Sequence, residues 1–354
     1  MSTRKMPALL AMLLVILFSA PGMTTPHNKH ASILQYHHVS EQTPAITSVT
    51  PEQFATHMQY VANNHTVVPL PDLIASLRGN EALPENAVAI TFDDGYQNIL
   101  ENAHPILKRY GFNYTIFINP ALIGKEAHQL TWEEVRQMKN EGVWFANHTD
   151  DHAHLLDRKG KNSKQWLADL KQDIQKAEEK LEQKLGYSLK YLAYPFGEYN
   201  SAVQTLLEDM GYVGFAQQSG AVAPYSDFTA LPRYPAAGLY ANLKTLKVKL
   251  NSLAMPVLSQ PTDPELEYSD RTPQWTIRID LDDIRPAQVA CYFKGQPMDP
   301  EWVEPDRFQL AISEPLDPGR SRVNCTAPSK QNPKRYYWHS QPFFVATKEG
   351  KWLD

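Results

Sequence analysis

Apolar residues follow two periods along this chain, and the period changes once. From Ala31 to about Asn251, short apolar runs alternate with stretches whose apolar residues recur every three or four positions. The runs Ile33–Tyr36, Thr66–Val68, Ala87–Phe92, Tyr114–Ile118, Val143–Ala146, Leu189–Ala193 and Val213–Ala216 predict strands. The stretches Pro51–Asn63, Pro71–Arg78, Ile99–Tyr110, Trp132–Asn140, Ser163–Leu185 and Ala202–Met210 predict helices. The longest carries Trp166, Leu170, Ile174, Ala177, Leu181 and Leu185 on one stripe and stops at Gly186. Strands alternating with helices predict an α/β domain with a parallel sheet, a distorted (β/α) barrel of about seven strands.

Pro256, Pro261, Pro264 and Pro273 then mark a Pro-rich linker, 256–273. Beyond it the period falls to two. Trp275, Ile277, Ile279 and Leu281 alternate with polar residues, and Val289, Cys291, Phe293, Phe308, Leu310, Ile312, Val323 and Cys325 continue the pattern. Residues 274–354 therefore predict a small β-sandwich after a barrel spanning 26–255. Its aromatic residues Trp302, Tyr336, Tyr337, Trp338 and Trp352 offer a ligand-binding reading, but packing in its core and against the barrel is the favoured one.

The first 25 residues differ again. Arg4 and Lys5 precede an apolar stretch, Ala8 to Phe18, and the small residues Ser19, Ala20 and Gly22. This is the pattern of a secretory signal peptide; the stretch is too short for a permanent membrane span, and no later one is longer. No cysteine lies beside the expected cleavage site, so a lipoprotein anchor is not expected. The protein is expected to be exported, periplasmic or extracellular. Its only cysteines, Cys291 and Cys325, then predict a disulfide, which would close a loop of about 35 residues and contribute roughly 3–4 kcal/mol. The net charge of -5, without a basic run, argues against nucleic acid as a partner.

Candidate chemistry gathers at the predicted strand ends, where barrels of this kind carry their sites. The buried run Ala87–Phe92 ends in Asp93-Asp94-Gly95, and His148-Thr149-Asp150-Asp151-His152 follows the fifth strand. Two adjacent carboxylates at the mouth of a sheet repel, unless a cation sits between them and neighbouring ligands or one stays charged as a base. The spacing of His148 and His152 predicts one helical turn that points both imidazoles the same way, and neutral imidazole ligates zinc-like ions. Thr149 reads as a local turn residue. His37 after the first strand has the intrinsic pKa of a proton donor, with His38 competing for that role. Tyr96, Trp144 and Tyr199 are candidate ring-stacking residues near the barrel rim.

At Thr91–Gly95 and His148–His152 the chain resembles the polysaccharide deacetylase family, the fourth family of carbohydrate esterases, which remove N-acetyl groups from amino-sugar polymers. The resemblance covers roughly Ile33 to Tyr234. It implies a hydrolase of amide bonds with one divalent ion, of the zinc type or else Ni2+, Co2+ or Fe2+. Asp94, His148 and His152 match the ligands, and Asp93 matches the catalytic base. Leu34-Gln35-Tyr36-His37 is similar to the opening motif of the permuted branch acting on poly-N-acetylglucosamine, in which a histidine here is the general acid. The chain departs from the family at Ala193, where many members carry an arginine that orients the aspartate; Arg233 is the candidate replacement. A backbone N–H near Phe196 is the candidate oxyanion donor.

Two other readings stand beside this one. A glycoside hydrolase also uses two carboxylates, but these must flank a bond several ångströms apart, which adjacent residues do not do easily. A silent glycan-binding barrel would keep the fold without turnover, yet would have no need of both a base and a metal set.

Overall fold

The computed structural model describes residues 29–79 and 81–353; the expected signal segment lies outside them. Among these residues eight strands form one parallel sheet: β1 (Ala31–Tyr36), β2 (Thr66–Val67), β3 (Ala87–Phe92), β4 (Thr115–Ile118), β5 (Trp144–Asn147), β6 (Tyr191–Ala193), β7 (Val213–Phe215) and β8 (Tyr234–Pro235). Their order is β8, β1, β3, β4, β5, β6, β7, with β2 against the start of β3. All seven predicted strands are present. The eighth, β8, closes the curl: Leu231 bridges to Phe215 of β7 and Tyr234 pairs with Leu34 of β1, so one short segment spans the first and last strands. It escaped the sequence pattern because two residues, one of them proline, carry no periodicity.

Strand alternation sorts the core. Leu34, Tyr36, Val88, Ile90 and Phe92 pack outward with helices Pro51–Asn64 and His104–Tyr110. Ala31, Ile33, Ala87 and Ala89 belong to a second cluster with Phe117 and Phe215. Gln35 and Thr91 continue that second face, and Asp93 lies just beyond it. The interior is therefore apolar at the strand starts and polar at their C-terminal ends, which fixes where chemistry can occur. The six predicted helices are present, the third opening with a π turn, Ile99–Ala103. No helix among the described residues is long and apolar enough to cross a membrane.

Two further sheets follow, six- and four-stranded, and share one core of Trp275, Ile277, Phe308, Leu310, Val323 and Phe343. Cys291 and Cys325 face each other on paired strands and are disulfide-bonded. The Pro-rich stretch is not a free linker. Val257–Ser259 and Glu265–Leu266 are strands of these two sheets, because backbone groups between prolines still find ladder partners at sheet edges. The tail also completes a barrel cluster: Phe344 is buried among Trp166, Leu170, Tyr194, Tyr199 and Leu207, and Trp352 packs against the same group.

A further helix, Leu243–Leu250, carries three lysines that a solvated surface would suit. Lys249 is instead buried, its ammonium donating to Pro235 O at 3.2 Å and lying 4.3 Å from the centre of the Tyr240 ring. Burial, then the Arg322 charge, brings Lys249 down to about 7. The unfolded chain, with a lysine value near 10.4, therefore binds more protons between about pH 7 and pH 10, and stability rises with pH across that window. Denaturant unfolding at pH 7 and pH 9 should show a steeper rise for wild type than for Lys249→Met; equal slopes would remove this assignment.

Candidate active site

The chain leaves β3 through two left-handed residues, Asp94 (φ 72°) and Gly95 (φ 74°). A Cβ on Gly95 would stand 2.7 Å from Ile118 Cγ2, so the turn needs glycine. Asp93 is fully buried. Arg233, equally buried, grips it with two parallel bonds, Nη1 to Oδ1 at 2.7 Å and Nη2 to Oδ2 at 2.8 Å. The guanidinium is itself fixed by Nε donating to Ala216 O and by the Phe117 ring 5.3 Å away. Gln35 Nε2 donates to Asp93 Oδ2 at 2.7 Å. Burial alone would raise the Asp93 carboxyl, but the opposing effects, led by the Arg233 charge and its paired hydrogen bonds, hold it below the ordinary carboxylate value. A buried carboxylate thus stays ionised at the mouth of the barrel.

Asp94 faces the histidines. Its Oδ1 lies 3.2 Å from His148 Nε2 and 3.3 Å from His152 Nε2, and these three side chains form a cluster that could hold a metal ion. His148 Nδ1 donates to Ala193 O at 2.7 Å, which leaves the Nε2 lone pair facing Asp94. Neither His148 Nε2 nor Asp94 Oδ1 has a hydrogen-bond partner, although both are buried. A lone pair facing a carboxylate oxygen is unfavourable by itself and favourable around a cation. Three donors about 2.0–2.1 Å from a tetrahedral ion stand about 3.3 Å apart, close to the spacing seen here between Asp94 and each ring. The residues therefore fit a divalent ion.

The pair does not sit on a helical turn, contrary to the spacing-based expectation. Residues 148–152 are a loop in which Thr149 (φ 66°) and His152 (φ 62°) are left-handed. Thr149 serves as the expected turn residue, its Oγ1 accepting from His152 N–H at 3.2 Å. Asn119 donates to the carbonyls of His148 and Thr149, and Asn147 Oδ1 accepts from Thr149 N–H at 2.8 Å. Neither asparagine was singled out from the sequence, and no local pattern marks them. Gln35 did carry a signal, since it shares a strand face with His37. Of the eight non-glycine residues with positive φ among those described, Asp94, Thr149, His152 and Phe196 border this site. Such strain persists only where surrounding contacts over-determine it.

His37 Nε2 lies 3.9 Å from Asp93 Oδ2, and its side chain is partly exposed at the mouth. Burial pulls its pKa down; Asp94 and Asp93 oppose this without cancelling it. His38 is no rival. It stacks on Tyr96 at 3.8 Å, bonds to Asn98, and burial followed by the His37 charge brings it to about 4. Tyr96 is consequently covered on one face rather than free on both. Trp144 opens β5, at the end opposite His148, and packs edge-on to Tyr187. Tyr199 is buried, stacked on Tyr194 and edge-on to Phe344. These last two are packing residues and cannot meet a sugar ring. Arg233 holds Asp93 and is itself fully enclosed, so it is no direct substrate contact. Phe196 lies beside the site, its ring 4.6 Å from that of His152 and 3.9 Å from that of His154.

A polysaccharide deacetylase family model matches residues 80–215, which include both motifs. The protein YxkH of Bacillus subtilis (strain 168) is 30% identical over 203 residues, covering 57% of this chain and 69% of the relative. A poly-beta-1,6-N-acetyl-D-glucosamine N-deacetylase of Staphylococcus aureus (strain MSSA476) is 30% identical over 193 residues, covering 52% and 67%. The chain belongs to the polysaccharide deacetylase family. Members of this family are hydrolases acting on N-acetyl amide bonds. The fold of this deacetylase is shared with two solved structures. Streptococcus pyogenes deacetylase PplD in complex with acetate aligns at TM-score 0.56 and 22% identity over 63% of this chain and 99% of that one. IcaB from Ammonifex degensii aligns at 0.56 and 21% over 62% and 97%. Each likeness covers less than two thirds of this deacetylase.

Proposed function

We propose that this polysaccharide deacetylase hydrolyses the acetamide of N-acetylhexosamine units in a cell-envelope or extracellular polymer, using one divalent ion held by Asp94, His148 and His152. The observation that carries this reading is the convergence of those three donors beside Asp93, a carboxylate that Arg233 keeps ionised. When bound, the ion supplies Lewis-acid polarisation and makes water a nucleophile near neutral pH. Asp93 accepts the proton of the attacking water. His37 returns a proton to the departing sugar nitrogen; its lowered pKa leaves it neutral at rest, so it takes up the proton from Asp93, 3.9 Å away. The Phe196 N–H is the proposed donor to the tetrahedral oxyanion, a role worth roughly 3–4 kcal/mol in comparable sites. The disulfide supports function in an oxidising compartment, in keeping with an export signal.

The test is acetate release by purified, metal-analysed protein from a panel of N-acetylated glycans, poly-β-1,6-N-acetylglucosamine, peptidoglycan and chitin oligomers among them. Activity should fall to background with a chelator and return with Zn2+, Co2+ or Ni2+. Reducing ends without acetate would replace this reading with glycosidic cleavage. Binding without either product would replace it with a silent glycan-binding barrel.

A further inference from the structure

One tail guanidinium reaches the loop whose Phe196 ring packs on the metal-ligand loop. Arg320 lies on the tail strand Gly319–Pro328, and its Nη1 donates to Phe196 O at 2.6 Å. The N–H of the same peptide group, that of Gly197, donates to Tyr194 O at 2.9 Å. The peptide is thereby held at both ends while Phe196 adopts a left-handed backbone (φ 56°, ψ 1°) that a residue with a side chain seldom takes up unaided. Held so, the Phe196 ring stands edge-on to His152 and flat against His154. His152 is the least enclosed of the three donors, its side chain 25% exposed against 11% for Asp94 and 0% for His148. A second tail residue, Glu265, accepts both from Arg158, at 2.5 and 2.7 Å, and from Asn200, at 2.6 Å. The segments after His152 and after Phe196 are thus tied to the same tail carboxylate.

We propose that Arg320 is a positioning residue which, acting through Phe196, sets the orientation of the His152 imidazole, so that the tail completes the metal site of the barrel. This rests on the reading of Asp94, His148 and His152 as metal ligands. The experiment loads the full chain with Co2+, whose visible absorption reports the geometry of its donors. Wild-type protein that takes up no Co2+ would sink the metal reading itself, before any variant is compared.

With wild type binding, Arg320→Met should lower Co2+ affinity by about 10- to 100-fold and shift the absorption bands, with Arg320→Lys recovering part of both. The kcat should fall with KM within about twofold, the sign of a lost catalytic geometry and not of lost substrate binding. Phe196→Leu should give the same spectral change, and combining it with Arg320→Met should add little. Arg278→Met removes an exposed ion pair with Asp306 on the same tail and should keep the wild-type spectrum. The proposal is overturned if Arg320→Met retains wild-type affinity and spectrum, if the two losses add in full, or if Arg278→Met reproduces them, since tail stability would then be the cause.

Discussion

Asp93→Asn is expected to lower acetate release by about 10²- to 10⁴-fold at unchanged metal content, the range for removing a general base. The substitution is nearly isosteric and leaves Asp94, His148 and His152 in place, so bound metal should stay at the wild-type stoichiometry. It does remove the charge facing Arg233, which is buried with no exposure to solvent. A lower melting temperature should accompany the loss, and circular dichroism must establish that the variant is folded at the assay temperature. Wild-type turnover in a folded, metal-loaded Asp93→Asn protein would remove Asp93 from the mechanism.

Arg233→Met should act on stability and on pH dependence together. Removing one partner of a buried ion pair leaves the other charge uncompensated, which costs about 3–5 kcal/mol. Asp93 is ionised now because the effects led by the Arg233 guanidinium overcome that of burial. Without the guanidinium its pKa rises, and a base is useful only above its pKa. The acid limb of kcat/KM should therefore move to higher pH, with activity recovering in part as the pH is raised. The stability that the pair contributes has the same sign: it is present above the unfolded carboxylate value and disappears only as pH falls through the depressed folded one. An acid limb unmoved in Arg233→Met would show that the pair does not tune the base, whatever it does for the fold.

The acids were legible because a wholly buried apolar strand ends in them, and such a position admits a carboxylate only with a partner. The partner was legible only through the family resemblance, which implies an arginine where this chain has Ala193 and made Arg233 the candidate replacement. In the structure the chain uses the Ala193 carbonyl instead, to orient His148. Sequence spacing misled at His148 and His152, where a separation of four mimics a helical turn. Their convergence comes from left-handed backbone held by Asn119 and Asn147, one of which belongs to another strand end. Two of the three aromatic candidates, Trp144 and Tyr199, turned out to be packing residues, for a different reason. Trp144 precedes His148 by four strand positions, about 13 Å along the chain, so its placement at the wrong end was readable. Tyr199 was not, because its cover comes from Phe344, distant in sequence.

That cover bears on the order in which the molecule can be made. Helices Ser163–Leu185 and Ser201–Met210 share an apolar cluster with Phe344 and Trp352, rings that leave the ribosome long after the helices themselves. A nascent barrel therefore carries an uncovered oily patch until the tail has been made. Until the tail docks, that patch is open to a holding chaperone, and the barrel closes only together with its tail.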